Sequence, residues 1–447
     1  MLSRRRRQLR GPGSRRRRAT GLMLIGMALT AGACSGGPPA GHGPATTASP
    51  PGSSGSPPSA GTVTSTTAAT EGGSTEGPTP GRSTAVPPTK PPATSTPSCV
   101  SSIVEGLSPA ERAGQLLMVG LDANAGRTSL DTLVARRHLG GIVLLGGWYG
   151  GAGSVRSVTR HLAGLASDSA TGGLGLLLAA DQEGGAVQQL RGAGFTRIPS
   201  ALRQGTMSPS ALTTAATSWG GQVKAAGVNV NLAPVADTVP AGIGTANQPI
   251  GRWGREYSHD PARVATMSVA FLKGMHAAGV ATTIKHFPGL GRITGNTDLT
   301  ARGITDTVTT PHDAYLEPFA AGIAAGTDLV MVGSAIYRRI DPGVNAVFSR
   351  RIVTGLLRDQ LGYHGVVISD DVGAAKSVAA VPTGERATRF IAAGGDIVLT
   401  ATPGTAPAMH DAILARMKAD AAFAGQVEAA VTRVVALKVD RGLARCG

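Results

Sequence analysis

From about residue 100 onward, short apolar runs alternate with alanine-rich segments. Most of these runs are continuous rather than alternating, which is the pattern of parallel strands buried on both faces. The segments between them contain helical candidates such as Pro261–Ala278, with apolar residues three and four positions apart. We therefore predict strands at these runs: Leu116–Val119, Ile142–Leu145, Leu174–Ala180, Val228–Leu232, Val280–Ile284, Leu329–Val332, Val366–Ile368 and Ile397–Thr400.

Eight strand–helix repeats predict an α/β chain folded as a closed (β/α)8 barrel. The alternative is an open, doubly wound sheet, but no G-x-G-x-x-G follows an early strand, which counts against a dinucleotide site. In a barrel, chemistry occurs at the carboxyl ends of the strands. The polar residues expected at those ends are Asp181-Gln182-Glu183, Asp237, Lys285-His286 and Asp370-Asp371.

The first 98 residues have a different pattern, with one apolar stretch at residues 21–33 behind an arginine cluster. This stretch is too short to span a bilayer, so it predicts a signal peptide over residues 1–33. Residues 34–98 are rich in Gly, Pro, Ser and Thr, and contain too few apolar side chains to offset chain entropy. We expect them to form a disordered linker before a barrel over residues 99–447.

The formal net charge of +15 first suggests a nucleic-acid partner, but the position of the charge argues against one. Residues 1–98 hold 11 Lys/Arg and 2 Asp/Glu, whereas the rest of the chain holds 31 and 25. The excess therefore belongs largely to the export segment. Only 3% of residues are aromatic, so base stacking is also disfavoured, and we expect no nucleic-acid binding.

Three cysteines remain to be assigned in an oxidising compartment. Small residues lead into Cys34, which resembles a bacterial lipobox although Ala31 replaces the usual Leu. Lipidation would anchor the chain to the outer face of the cytoplasmic membrane; the alternative is a plain secretory signal, and both Sec and twin-arginine export stay open. Cys99 and Cys446 bracket the globular region, so a disulfide that joins the two ends is expected, with two free thiols as the alternative.

Two strand ends carry candidate chemistry. Asp370-Asp371 puts two carboxylates at one strand end, and glycoside cleavage with retention needs such a carboxylate beside the anomeric carbon. The alternative is a helix cap or a structural contact. Lys285-His286 puts a cation and an imidazole on one buried strand, where they need polar partners such as sugar hydroxyls or a carboxylate. A salt bridge that supports a loop is the alternative.

Three ordered motifs make a family resemblance specific: DQEGG at 181–185, KHFPGLG at 285–291 and GVVISDD at 365–371. Together they resemble glycoside hydrolase family 3, and within it the single-barrel β-N-acetylglucosaminidase branch with its actinobacterial lipoproteins. The resemblance covers roughly residues 100–440. It implies a glycoside hydrolase of the β-N-acetylhexosaminidase type.

The resemblance also implies roles for individual residues. Asp370 matches the family nucleophile, and Asp181 matches an Asp that binds the hydroxyls of the non-reducing end. Lys285 and His286 match a substrate-holding pair, and Arg255 matches a substrate-binding Arg, although Ser258 replaces the Gly of that segment. Asp237 matches the APV-x-D motif, where support and substrate contact are equally open.

One departure concerns the acid/base. The branch usually carries D-x-H after KHFPGHG, whereas this chain has Asn296-Thr297-Asp298, and Leu290 replaces the second His of KHFPGHG. We expect Asp298 to donate the proton from this glycine-bounded loop, with a pKa raised by burial. The alternatives are that His312-Asp313 supplies the group, or that hydrolysis is weak or absent. Ala186 also stands where the family often has Arg after DQEGG, which affects contacts to a second sugar.

The leading functional prediction is a retaining exo-β-N-acetylglucosaminidase that acts on peptidoglycan-derived or other β-GlcNAc-terminated glycans through a covalent glycosyl-Asp intermediate. The alternatives are another family 3 activity, such as β-glucosidase, β-xylosidase or phosphorylase, and a carbohydrate-binding surface lipoprotein with weak turnover. No metal-ligand spacing stands out, and this hydrolysis requires no cofactor. We expect a monomer whose contact with the membrane is the lipid anchor alone.

Overall fold

The structure, a computed structural model, describes residues 97–446. The predicted signal peptide, Cys34 and nearly all of the predicted linker lie outside the described residues. The described part contains an eight-stranded parallel sheet. Its strands are β1 Leu117–Asp122, β2 Gly141–Leu145, β3 Leu177–Ala180, β4 Val230–Asn231, β5 Ala281–Phe287, β6 Leu329–Val332, β7 Val366–Ser369 and β8 Val398–Thr400.

The sheet closes on itself. From β1 to β7 each strand pairs in parallel with the next one along the chain, and β1 also pairs with β8 through Met118 and Leu399. A parallel bridge between Ile368 and Ile397 joins β7 to the start of β8. The predicted (β/α)8 barrel is therefore confirmed, and the open doubly wound alternative is wrong.

Helices surround the barrel, and the helix predicted at Pro261–Ala278 is present at Pro261–Ala277. Their ends carry the expected capping residues: Ser108 forms a capping box with Glu111, and the Asp260 side chain accepts from the Ala262 amide. The helices are α1 Pro97–Gly106, α2 Pro109–Gln115, α3 Asp131–Arg137, α4 Gly151–Ala163, α5 Asp168–Thr171, α6 Ala201–Gln204, α7 Pro209–Ala225, α8 Pro261–Ala277, α9 Glu317–Ala324, α10 Thr383–Ala393, α11 Ala406–Ala419 and α12 Ala421–Asp440, with a π-type helix at Arg351–Gln360.

The core lies inside the barrel and between the barrel and its helices. Strand residues such as Leu117, Ile142 and Val398 are fully buried, as parallel strands covered on both faces should be. Aromatic pairs help to fill the outer layer, including Phe287 with Phe319 at 5.3 Å between ring centroids. A rigid frame therefore supports the loops at the carboxyl ends of the strands.

Two short ribbons decorate the carboxyl end of the barrel, and the sequence did not predict them. Gln182–Gly184 pairs antiparallel with Val187–Gln188, directly after β3. Thr305–Asp306 pairs in parallel with Ile336–Tyr337, so the loops after β5 and β6 are joined. Both ribbons stiffen loops that carry predicted site residues.

The two ends of the described chain meet at the opposite side of the barrel. A disulfide joins Cys99 to Cys446, whose Cα atoms are 5.5 Å apart. Nearby, the Gly175 amide donates to the Leu443 carbonyl just before β3 begins, which places the C-terminal segment at the amino end of the strands. None of the helices within residues 97–446 combines the length and apolarity that crossing a bilayer requires.

Candidate active site

The carboxyl ends of the barrel strands bring most of the predicted site residues together. Asp181 directly follows β3, Lys285 and His286 lie within β5, and Asp370 directly follows β7. Asp237 lies in the loop after β4 and contacts β5 through its carboxylate. The residues that the sequence selected from separate motifs therefore share one mouth.

An ion-pair cluster joins the loops after β3 and β4 to β5. Lys285 Nζ lies 2.5 Å from Asp181 Oδ1 and 2.6 Å from Glu183 Oε1. Arg255 grips the same Glu183 in a bidentate pair, with Nε 2.9 Å from Oε2 and Nη2 2.7 Å from Oε1. Its Nη1 donates to the Pro249 carbonyl at 2.8 Å. Glu183 thus forms ion pairs with both Lys285 and Arg255.

The charges of this cluster are fixed by their mutual proximity. Burial alone would raise the pKa of Glu183, but the adjacent Arg255 and Lys285 outweigh it and lower that pKa to about 2. Burial likewise opposes the charged form of Lys285, yet Asp181 and Glu183 raise the pKa of its ammonium. Glu183, Lys285 and Arg255 therefore stay ionised across the neutral range and present oriented polar groups to the mouth.

Asp237 supports the site from below rather than facing the mouth. It is fully buried, and its Oδ2 lies 2.7 Å from His286 Nδ1. Its other oxygen, Oδ1, accepts from the Leu290 amide at 2.6 Å. Of the two roles left open by the sequence, this geometry favours support, because both carboxylate oxygens are engaged by His286 and Leu290 and none of the residue is exposed. The pairing orients the His286 ring and directs Nε2 to a further partner.

The two adjacent carboxylates after β7 have different environments. Asp370 is partly exposed; its amide donates to the Val332 carbonyl at 2.9 Å, which ties it to β6. Asp371 faces its own loop, and its Oδ1 accepts from the amides of Gly373 at 2.8 Å and Ala401 at 3.0 Å. Asp371 therefore anchors the loop, whereas Asp370 is the carboxylate that remains for chemistry.

Asp298 belongs to the loop after β5 and is held beside the loop after β7. Its amide donates to Asn296 Oδ1 at 2.9 Å, and its carbonyl accepts from the Lys376 amide at 3.1 Å. Burial among protein atoms, together with the charges of Asp370 and Asp371, raises the pKa of the Asp298 carboxyl to about 7. The residue also keeps contact with solvent. The negative charges of Asp370 and Asp371 therefore favour the protonated form of the Asp298 carboxyl.

The family assignment rests on comparison of the whole barrel. The family model described as "Glycosyl hydrolase family 3 N terminal domain" matches residues 110–437. The chain belongs to this family. The prediction of a family 3 glycoside hydrolase is therefore confirmed.

Relatives and solved structures agree with this assignment. A "Beta-hexosaminidase" of Xanthomonas oryzae pv. oryzae (strain KACC10331 / KXO85) is 35% identical over 259 residues, covering 56% of this chain and 75% of that protein. A β-N-acetylhexosaminidase structure from Beutenbergia cavernae DSM 12333 matches with a TM-score of 0.73 and 48% identity, covering 74% of this chain and 99% of that one. A family 3 β-N-acetylglucosaminidase from Paenibacillus sp. str. FPU-7 matches with a TM-score of 0.66 and 28% identity, covering 75% and 63% respectively.

Glu183 is the residue of this family 3 barrel whose importance the sequence reasoning missed. It lies within DQEGG at a predicted strand end, and the sequence pattern assigns it no role. The signal in the sequence was the second carboxylate of DQEGG, because Lys285 on its buried strand needs a polar or acidic partner. The partner Arg255 is 72 residues away, so the pairing could not be deduced from local pattern.

The structure also places the alternatives to Asp298. His312 is exposed, and Asp313 caps the short helix Ala314–Leu316 and pairs with Arg292 at 2.7 Å, so this dipeptide begins a helix. Leu290 is 2% exposed, which explains how an apolar residue is accommodated in place of the second His of KHFPGHG. Within residues 97–446, the side chains form no cluster of three or more His, Cys, Asp or Glu suited to a metal ion.

Proposed function

We propose that this family 3 enzyme is a retaining exo-β-N-acetylglucosaminidase acting on β-GlcNAc-terminated glycans. The observation that carries the proposal is the attachment of Asp298 to the loop that follows Asp370, through the hydrogen bond from the Lys376 amide to the Asp298 carbonyl at 3.1 Å. Burial and the charges of Asp370 and Asp371 raise the pKa of its carboxyl to about 7. A carboxyl that titrates near neutrality can both give and take a proton at working pH. The names of the Xanthomonas and Beutenbergia relatives support the choice of a hexosamine as the sugar.

In the first step, an oxygen of Asp370 attacks the anomeric carbon while the bond to the glycosidic oxygen breaks. The proton of Asp298 passes to that oxygen, so the aglycone leaves as a neutral alcohol and a glycosyl-Asp370 ester remains. In the second step, water gives its proton to the Asp298 carboxylate, and its oxygen attacks the anomeric carbon. This step releases the sugar with retention and restores both carboxyl groups.

The remaining cluster holds the terminal sugar. Asp181, Lys285, Arg255 and His286 Nε2 are the groups that we assign to its hydroxyls, and Asp237 keeps the imidazole in the required orientation. Because Lys285 and Glu183 are almost fully buried, the cluster is preorganised and costs little reorganisation on binding.

Kinetics on aryl β-GlcNAc substrates test the two carboxylates separately. We expect Asp370→Asn to abolish turnover of every substrate, by roughly 10⁴-fold or more, since the nucleophile is lost. For Asp298→Asn, kcat/KM should fall about 10²–10⁴-fold on poor leaving groups and little on 2,4-dinitrophenyl β-GlcNAc, whose departure needs no acid. An equal loss on all leaving groups for Asp298→Asn would remove the acid role.

We also propose that the enzyme is a lipoprotein of the cell envelope and that its substrates include peptidoglycan fragments. The proposal is supported by the arginine cluster, the apolar stretch and Cys34 in the sequence. Cys34→Ser should abolish incorporation of labelled fatty acid and shift the protein from the detergent phase to the aqueous phase. Release of GlcNAc from purified muropeptides, compared with chitobiose, tests the substrate.

A further inference from the structure

The loop that carries Asp298 is closed at its base and attached at its tip. At the base, the amides of Thr294 and Gly295 both donate to the Gly303 carbonyl, at 3.1 and 2.8 Å. At the tip, the Ser377 amide donates to the Thr297 carbonyl at 3.0 Å, next to the bond between Lys376 and Asp298. Two successive hydrogen bonds therefore fix the tip to the loop after β7.

The loop after β7 is itself fixed at this point by a neighbouring strand. Ser377 Oγ lies 2.7 Å from Ser334 Oγ, and Ser334 is 1% exposed, two residues after β6 ends. Asn345 Nδ2 donates to the Ser334 carbonyl at 2.8 Å and to the Ser377 carbonyl at 3.4 Å. A continuous series of contacts thus runs from the rigid barrel through Ser334 and Ser377 to the acid loop.

We propose that Ser377, held by Ser334 and Asn345, is a positioning residue that keeps the Asp298 carboxyl over the glycosidic oxygen. This inference rests on the proposed role of Asp298. A proton donor works only within hydrogen-bond reach of its acceptor, and a displacement of about 1 Å can cost roughly 10²-fold in rate. None of these three residues belongs to the motifs that define the family resemblance.

Loss of the contact between Ser377 Oγ and Ser334 Oγ should change the pKa of Asp298 as well as the position of its loop. Asp298 lies in the field of Asp370, Asp371, His286 and Arg255, and the adjacent Lys376 donates only its backbone amide. If the tip is released, the carboxyl gains water and moves away from the two carboxylates. Both changes lower the pKa of Asp298 towards its ordinary value, because both favour the charged form.

The test compares Ser377→Ala and Ser334→Ala with the wild-type enzyme on a series of aryl β-GlcNAc substrates. We expect kcat/KM to fall about tenfold on poor leaving groups and to be nearly unchanged on the 2,4-dinitrophenyl substrate. The alkaline limb of the pH profile should move to lower pH in both variants. Ser377→Thr, which keeps a hydroxyl, should restore part of the rate and of the limb.

The matched control is Ser268→Ala, a fully buried serine on α8 whose Oγ donates only to the Ala265 carbonyl. It should leave the leaving-group dependence and the alkaline limb unchanged. An equal loss on all substrates with an unmoved limb, or no loss at all, would overturn the positioning role. The variant Asp298→Asn separates the two proposals. If its loss of kcat/KM is the same for all leaving groups, the acid assignment fails. If Asp298→Asn loses more on poor leaving groups but the serine variants do not, only the positioning role fails.

Discussion

At the scale of single residues, the site depends on which charges are compensated. Glu183 is 4% exposed and contacts two cations. The desolvation cost of its buried carboxylate is therefore offset by direct ion pairs rather than by hydration. Asp298 has the opposite environment, because burial and the charges of Asp370 and Asp371 raise the pKa of its carboxyl. One barrel mouth therefore holds one carboxyl that stays ionised and another that titrates near neutrality.

Replacing Glu183 with Gln should destabilise the enzyme and raise KM, because Lys285 and Arg255 lose their shared carboxylate. We expect a loss of about 3 kcal/mol in the free energy of unfolding at pH 7, measured by urea denaturation. The pKa of Glu183 is lowered to about 2, so the native state binds fewer protons than the unfolded state below about pH 5. The difference between wild type and variant should therefore shrink as pH falls from about 5 towards 2.

The control for this prediction is Glu385→Gln on α10. Glu385 pairs with Arg389, and both side chains are about half exposed. Its replacement should change stability by less than about 0.5 kcal/mol at any pH. Equal effects of the two substitutions would show that the buried cluster has no special role.

The proposed acid role of Asp298 also predicts how kcat/KM depends on pH. The acid must be protonated to donate, and its pKa is raised to about 7 by burial and by Asp370 and Asp371. For poor leaving groups, kcat/KM should fall about tenfold per pH unit above that pH. The limb should be absent for the 2,4-dinitrophenyl substrate, and its persistence in Asp298→Asn would exclude Asp298 as the titrating group.

At the scale of elements, the sequence predicted the strands well because buried parallel strands are continuous apolar runs. Each predicted strand exists, and Leu329–Val332 has the predicted bounds. Others are shifted: the run Val280–Ile284 extends as β5 to Phe287, since Lys285 and His286 are polar yet buried. The ribbons were missed because two- and three-residue strands leave no periodic pattern. The ion pair of Glu183 with Arg255 depends on tertiary approach, which local pattern does not encode.

The turn after β5 shows how closely two loops approach. A Cβ added to Gly291 would lie 1.8 Å from the Thr238 carbonyl oxygen, a contact that only movement of backbone could relieve. Gly291→Ala should therefore displace the turn that carries Leu290 and lower both stability, by about 2 kcal/mol or more, and activity. Thermal denaturation and kcat/KM measure the two effects.

Gly425→Ala is the matched control for this substitution. Gly425 lies within α12, and a Cβ there would meet no heavy atom within 4 Å. The change should stabilise the enzyme by about 0.5–1 kcal/mol without altering turnover. Loss of stability in Gly425→Ala, or none in Gly291→Ala, would contradict the assigned packing.

At the scale of the whole molecule, the barrel separates stability from chemistry. The Cys99–Cys446 disulfide lies near the C-terminal segment that meets the amino end of β3, whereas the candidate catalytic carboxylates follow the carboxyl ends of the strands. This division is general for the fold. It explains why the motifs that identify the family concentrate at one face.

Removal of the disulfide should accordingly affect stability alone. The pair closes a loop of 347 residues in sequence separation, so Cys99→Ser with Cys446→Ser should lower the free energy of unfolding by about 2–5 kcal/mol. We expect kcat at 25 °C to change less than about twofold, because the disulfide and the candidate active site lie at opposite ends of the barrel. A large loss of kcat with unchanged Tm would contradict this separation.

The most direct test of the central claim is covalent trapping of the nucleophile. The enzyme is incubated with an activated fluorinated β-GlcNAc analogue, digested, and the labelled peptide sequenced by mass spectrometry. The account predicts one glycosyl group on the carboxylate of Asp370 and none in Asp370→Asn. A label on another residue, or turnover with no trapped intermediate, would contradict it.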